Sequence, residues 1–155
     1  MIEEKMKELG YSLPAAAEPS FQYVPVVLHG GLAYISGQLP KVDGQVGITG
    51  KVGTEVTLEQ AQEAARICIL QGLSCLKQEI GSLERITKIV KVTGFVNSAQ
   101  GFHSQPKVID GASKLLVQIF GETGRHARAA IGAAELPRNS AVEIEMIIAY
   151  KEEER

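Results

Sequence analysis

Residues 125–150 read RHARAAIGAAELPRNSAVEIEMIIAY, and their pattern decides the fold. Arg128 to Ala134 is a run of small, apolar residues, and Leu136-Pro137-Arg138-Asn139-Ser140 supplies the Pro and Asn that turn a chain. From Val142 the residues alternate, with Val142, Ile144, Met146, Ile148 and Tyr150 on one side and Glu143, Glu145, Ile147 and Ala149 on the other. Two strands joined by a turn, a β-hairpin, are therefore expected. The second face of Val142–Tyr150 mixes carboxylates with apolar residues, which fits neither a plain core face nor a plain solvent face. An Arg and a Glu on neighbouring segments of one hairpin could line one pocket. A solvated strand end and charges that protect an edge strand account for the same pattern.

At 155 residues the chain is long enough for one well-cored domain, and 45% hydrophobic with 22% charged residues is an ordinary globular composition. A net charge of -2 gives no electrostatic footprint for general nucleic-acid binding, and with no Trp and 5% aromatics, stacking platforms for single strands are scarce. Nucleic acid is thus an unlikely partner. No stretch is long enough without charge to cross a bilayer, and the charged start MIEEKMKELG lacks the apolar core of a signal peptide, so the cytoplasm is the expected address. Cys68 and Cys75 fall about two turns, ~10 Å, apart on one expected helix. A disulfide needs Cα atoms within ~7 Å, so they are read as buried small hydrophobes.

Working outward, residues 1 to 9 suggest a short helix ended by Gly10, and residues 11 to 20, with two Pro and three consecutive Ala, an extended arm. Residues 1–20 are thus an N-terminal helix and arm that lies over the domain or reaches a neighbouring subunit, and 21–155 the domain itself. Tyr23 to Leu28 and Leu32 to Ser36 read as strands around His29-Gly30-Gly31. With no G-x-S-x-G partner in the chain, His-Gly-Gly is a turn rather than an oxyanion loop. Residues 41 to 53 are loop with room for one short strand. Thr57-Leu58-Glu59-Gln60 is a capping-box pattern opening a helix to about Ile80, with Leu58, Ala61, Ala65, Cys68, Gly72, Cys75 and Leu76 on one stripe. Ile86 to Asn97 is a strand with Ile86, Val90, Val92 and Val96 inward. Pro106 fits the first turn of a second helix, buried through Ile109, Ala112, Leu116 and Ile119. The order β-β-(β)-α-β-α-β-β implies an α+β fold with one sheet and both helices on one face. The other face then needs cover, which points to an oligomer with a site between subunits.

These residues resemble the RidA/YjgF family. Arg128, Leu136-Pro137 and Glu143-Ile144-Glu145 are similar to its C-terminal signature, R-x7-L-P-x5-E-x-E. Tyr23 precedes Ser36-Gly37-Gln38-Leu39-Pro40 at the family's spacing, and Lys91-Val92-Thr93-Gly94-Phe95-Val96 is similar to its central strand. The resemblance covers roughly residues 21 to 150 in collinear order. It implies a chorismate-mutase-like fold, a homotrimer, and cofactor-free, metal-free hydrolysis of reactive 2-imino or enamine acids to 2-keto acids and ammonia in clefts between subunits. It further implies that Arg128 binds the substrate carboxylate, that Glu143 positions or activates water, and that Tyr23 closes the cleft. The backbone at Ala130 would offer hydrogen bonds, and Asp110 would contribute across the interface. The chain has Ala130 where many active relatives have Cys, and it adds an N-terminal extension and a longer loop before the second helix. Arg125 and His126 add positive charge beside Arg128, suited to a more anionic ligand or simply solvated. His29, His103 and His126 lack metal-ligand spacing. The alternatives are a non-catalytic module that binds small carboxylates, and a ribonuclease or translation inhibitor, which the negative charge and missing basic stripe disfavour.

Overall fold

Seven strands and three helices occur among residues 1–16 and 22–153, which the computed structural model describes. Strands β1 (Val26–His29), β2 (Leu32–Gln38), β5 (Ile86–Asn97), β6 (Ala127–Ala133) and β7 (Val142–Tyr150) form one sheet in the order β1-β2-β7-β5-β6. The two-residue strands β3 (Lys41–Val42) and β4 (Gln45–Val46) pair separately, around Asp43 and Gly44. Both of those residues have positive φ, as the tight turn requires. Helices α2 (Leu58–Ile80) and α3 (Gln105–Phe120) pack side by side on one face of the main sheet. The α+β order expected from the sequence is therefore observed, with a two-strand ladder where one short strand had been foreseen.

Local chemistry explains most of the elements. Gly30 (φ 61°) and Gly31 (φ 76°) make the tight β1–β2 turn in a conformation that side-chain-bearing residues rarely adopt. The Thr57 hydroxyl accepts from the Gln60 backbone at 3.1 Å while the Gln60 side chain accepts from the Thr57 N–H at 2.9 Å, the reciprocal cap that starts α2. Gly81 ends that helix. Cys68 and Cys75 are buried thiols in it, and burial, followed by the nearby Glu143, pushes the Cys68 thiol well above its ordinary range. The helix α1 (Ile2–Glu8) sends Met6 fully into the core. Of the expected arm, residues 11–16 run without regular structure, pinned where the Ser74 hydroxyl donates to the Pro14 carbonyl at 2.5 Å. Residues 17–20 lie outside the described residues.

Three expectations are corrected. The stretch 125–150 is not a hairpin, because β5 lies between β6 and β7, antiparallel to β7 and parallel to β6. Strand β6 follows β5 through the crossover helix α3, and a crossover returns the chain parallel to the strand it left. The turn at Pro137–Asn139 therefore arches over the end of β5, tied down by hydrogen bonds from Asn97 N–H to the Ala141 carbonyl (2.9 Å) and from Gly50 N–H to the Asn139 carbonyl (2.8 Å). Within β5 the inward residue is Ile89 (fully buried), not Val90, because the pairing with β7 slips at Ile86/Lys88 and at Ile89/Lys91. Strand β1 begins at Val26 rather than Tyr23, since Pro25 has no N–H for a ladder.

Candidate active site

The bulge in β2 creates the first half of the site. Ile35 pairs with Met146 and Gln38 with Ile144, so three steps along β2 oppose two along β7. The extra residue leaves Ser36-Gly37 out of the ladder and bends the strand. Gly37 is thereby laid against Glu143: a Cβ built on it would stand 3.0 Å from the Glu143 carboxyl carbon. Beside them opens a cavity of about 680 Å³ lined by Tyr23, Ser36, Gly37, Gln38, Arg138 and Glu143, with Ala15 and Ala16 of the N-terminal arm on its rim. Glu143 is half-buried, and burial, followed by the charge of Glu145, raises its carboxyl above the ordinary range. A carboxylate so placed is a stronger base than one in water.

The second half lies around Arg128. This residue pairs with Val92 of β5, which is fully buried beneath the helices, so Arg128 points to the helix face. Its Nη1 donates to Asp110 Oδ1 at 2.8 Å and to Ser113 Oγ at 3.1 Å, both on α3. The Arg128 side chain is 24% exposed and that of Asp110 60%. Ala130 follows on β6 opposite Gly94. Because β6 is an edge strand, half of its backbone donors and acceptors point away from the sheet.

Within one chain the two halves do not meet. Glu143 pairs with Phe95 and Arg128 with Val92, three residues apart along β5 and on opposite sides of it. At ~4.8 Å per strand and ~3.3 Å per residue, their Cα atoms are about 14 Å apart. Tyr23 (55% exposed) stands with Glu143, and Asp110 with Arg128. Arg125 is exposed and, among the described residues, pairs with the still more exposed Glu122 at 3.5 Å, whereas His126 turns inward to Ser113 and Gly124. Among the described residues no three His, Cys, Asp or Glu side chains gather as a metal would need, and no helix is long and apolar enough to cross a membrane.

Residues 3–150 match the family described as "YjgF/chorismate_mutase-like, putative endoribonuclease". The chain belongs to this family. It is 43% identical over 148 residues to Protein TCP17 of Trypanosoma cruzi, an alignment spanning 95% of this chain and 92% of that protein. A 2-iminobutanoate/2-iminopropanoate deaminase of Dermatophagoides farinae is 28% identical over 137 residues, 88% of this chain and 92% of its own. The crystal structure of Atu1372 from Agrobacterium tumefaciens superposes with a TM-score of 0.91 at 45% identity, covering 97% of this chain and 92% of that one. The YjgF fold read from the sequence is thus the fold of the chain. Sequence reasoning missed Gly37 as the neighbour of Glu143, Arg138 in the cavity, and Ser113 beneath Arg128. The first two lie within motifs already in view; Ser113, one polar residue on a helix, gave no signal.

Proposed function

We propose that this protein is a hydrolytic deaminase of 2-imino and enamine acids, working in clefts between the subunits of a homotrimer. The observation that carries the reading is Glu143, a half-buried carboxylate of raised basicity at a cavity large enough for a small organic acid. The presence of an imine deaminase in the family, 28% identical over most of its length, gives the reaction class. The substrate carboxylate is held by the Arg128 guanidinium, whose planar fork matches it bidentately. Glu143 takes a proton from a water as it adds to the imine carbon, and returns it to the nitrogen as the C–N bond breaks. In balance, R–C(=NH₂⁺)–COO⁻ and H₂O give R–CO–COO⁻ and NH₄⁺. An imine carbon is already electrophilic, so fixing the acid and aiming one water supply most of what catalysis needs. Tyr23 closes the cleft, and backbone groups at Ala130 bond the imine nitrogen or the water.

The separation of Arg128 from Glu143 within one chain supports a shared site, in which the β6 edge of one subunit meets the bulged β2 of the next. The sheet face away from the helices supports the oligomer, since it exposes Val27 (50%) and Tyr34 (43%) at one edge and Ile131 (47%) at the other, apolar side chains that a second copy would bury. Asp110 acts on the substrate through Arg128. The deciding experiment is release of ammonia and 2-oxobutanoate from 2-iminobutanoate generated in situ, comparing the native chain with Arg128→Ala, together with sedimentation. Acceleration by the native protein alone and a three-chain mass are expected. Equal rates with and without native protein, alongside tight binding of 2-oxobutanoate, would replace the enzyme by a carboxylate-binding module.

A further inference from the structure

Behind Arg128 lies a chain of hydrogen bonds whose directions can be worked out. His126 Nδ1 stands 2.6 Å from the Gly124 carbonyl oxygen, which can only accept, so Nδ1 carries a proton. Burial first, then the positive charges of Arg128 and Lys88, hold the imidazole below its ordinary pKa and so neutral at pH 7. Nε2 is therefore bare, and the Ser113 hydroxyl 2.8 Å away must donate to it. With its proton committed, the Ser113 oxygen is turned to accept from Arg128 Nη1 at 3.1 Å. Asp110 accepts from that same Nη1. Two acceptors on α3 thus grip one end of the guanidinium, and among the described residues Nε and Nη2 make no hydrogen bond, leaving that edge for a ligand.

The other groups nearby do not compete for the ring. Lys88 donates to the Glu122 carbonyl at 3.1 Å, and Arg125 pairs with Glu122 in solvent.

We propose that Ser113 and His126 are positioning residues for carboxylate recognition, holding Arg128 through the directional chain Arg128 N–H to Ser113 O–H to His126 Nε2, anchored by His126 Nδ1–H on the Gly124 carbonyl. The proposal rests on the reading of Arg128 as the group that binds the substrate carboxylate. The uncommon Nδ1–H form of His126 is what makes Ser113 an acceptor for the arginine. A guanidinium held at Nη1 loses less side-chain freedom when a carboxylate arrives, so the chain contributes to binding by preorganisation.

The test uses the full-length protein and 2-oxobutanoate as the probe. Long-range nitrogen–proton NMR correlation at pH 7 should show His126 protonated at Nδ1 and bare at Nε2, and Ser113→Ala should weaken 2-oxobutanoate binding roughly tenfold. The loss should fall on KM more than on kcat, because Glu143 is untouched. Ser113→Thr, which keeps the hydroxyl, should bind within about twofold of native, a recovery that a purely structural role for the side chain would not give. Finding His126 protonated at Nε2, or native affinity in Ser113→Ala, would overturn the chain. Arg128→Ala measured alongside separates the two readings. Native affinity there overturns the carboxylate role of Arg128 itself, whereas lost affinity there with native affinity in Ser113→Ala overturns the positioning alone.

Discussion

Gly37→Ala isolates the placement of Glu143 from the stability of the fold. The φ of Gly37 lies outside the left-handed region, so an alanine backbone is unstrained there. The new methyl would stand 3.0 Å from the Glu143 carboxyl carbon and 3.3 Å from Cγ and Oε1, closer than such atoms normally sit. Glu143 must retreat by a few tenths of an ångström, and the cavity it lines gives it room to do so. The crowding costs ~1 kcal/mol, at the low end for overpacking because the contacted atoms end a flexible side chain. Loss of glycine freedom in the unfolded chain returns ~0.4–1 kcal/mol, so the two nearly cancel. The melting temperature should therefore move by no more than about 4 °C, on the usual scale for a domain of this size. Catalysis should respond differently: a 1 Å displacement of a positioned group can cost about a hundredfold, so a few tenths should lower kcat about tenfold. Binding of 2-oxobutanoate, which the proposed function assigns to Arg128, should stay within about twofold. Steady-state kinetics, isothermal titration and thermal melts on the same preparation decide it. Unchanged kcat in a folded Gly37→Ala protein would remove Glu143 from the role of placing water.

Arg128→Lys should fold with native melting behaviour yet bind 2-oxobutanoate at least tenfold more weakly in titration, because an ammonium cannot reproduce the bidentate fork. Glu143→Gln should lose turnover by roughly a hundredfold or more and gain stability at the same time. The raised Glu143 pKa means that the folded state holds its proton more tightly than the unfolded chain, so ionised Glu143 opposes folding above its folded pKa and not below its ordinary value. The gain in melting temperature should accordingly be present at pH 7 and vanish toward pH 4. His126 carries the opposite sign: its pKa is lowered, so the stability it lends is complete above its ordinary value and drains away as pH falls through the folded one. Below about pH 6.5, the ordinary value for histidine, His126→Gln should lose less stability per pH unit than the native chain in denaturant titrations.

Local rules made the elements legible. The capping box at Thr57 and Gln60, the turn at Gly30-Gly31 and the alternation of Val142–Tyr150 each depend on neighbours in sequence, and each formed as read. The partner of a strand is not local. Strand β7 is central, with β2 on one side and β5 on the other, and nothing between Arg128 and Ser140 encodes that β5 will come between. Register slips are equally hidden: one extra residue in β2 creates the contact of Gly37 with Glu143, and slips in β5 exchange Val90 for Ile89.

The same distinction governs the site. Collinear motifs marked Arg128, Glu143 and Tyr23 as important, and a hairpin reading allowed arginine and glutamate to line one pocket. The inserted β5 sends them to opposite faces, about 14 Å apart on strand geometry, with Asp110 and Ser113 behind the arginine and Gly37 behind the glutamate. An imino acid of three or four carbons cannot bridge that distance within one chain. If both residues act on one such substrate, as proposed, they must come from different chains, and the proposed chemistry then stands or falls with the assembly.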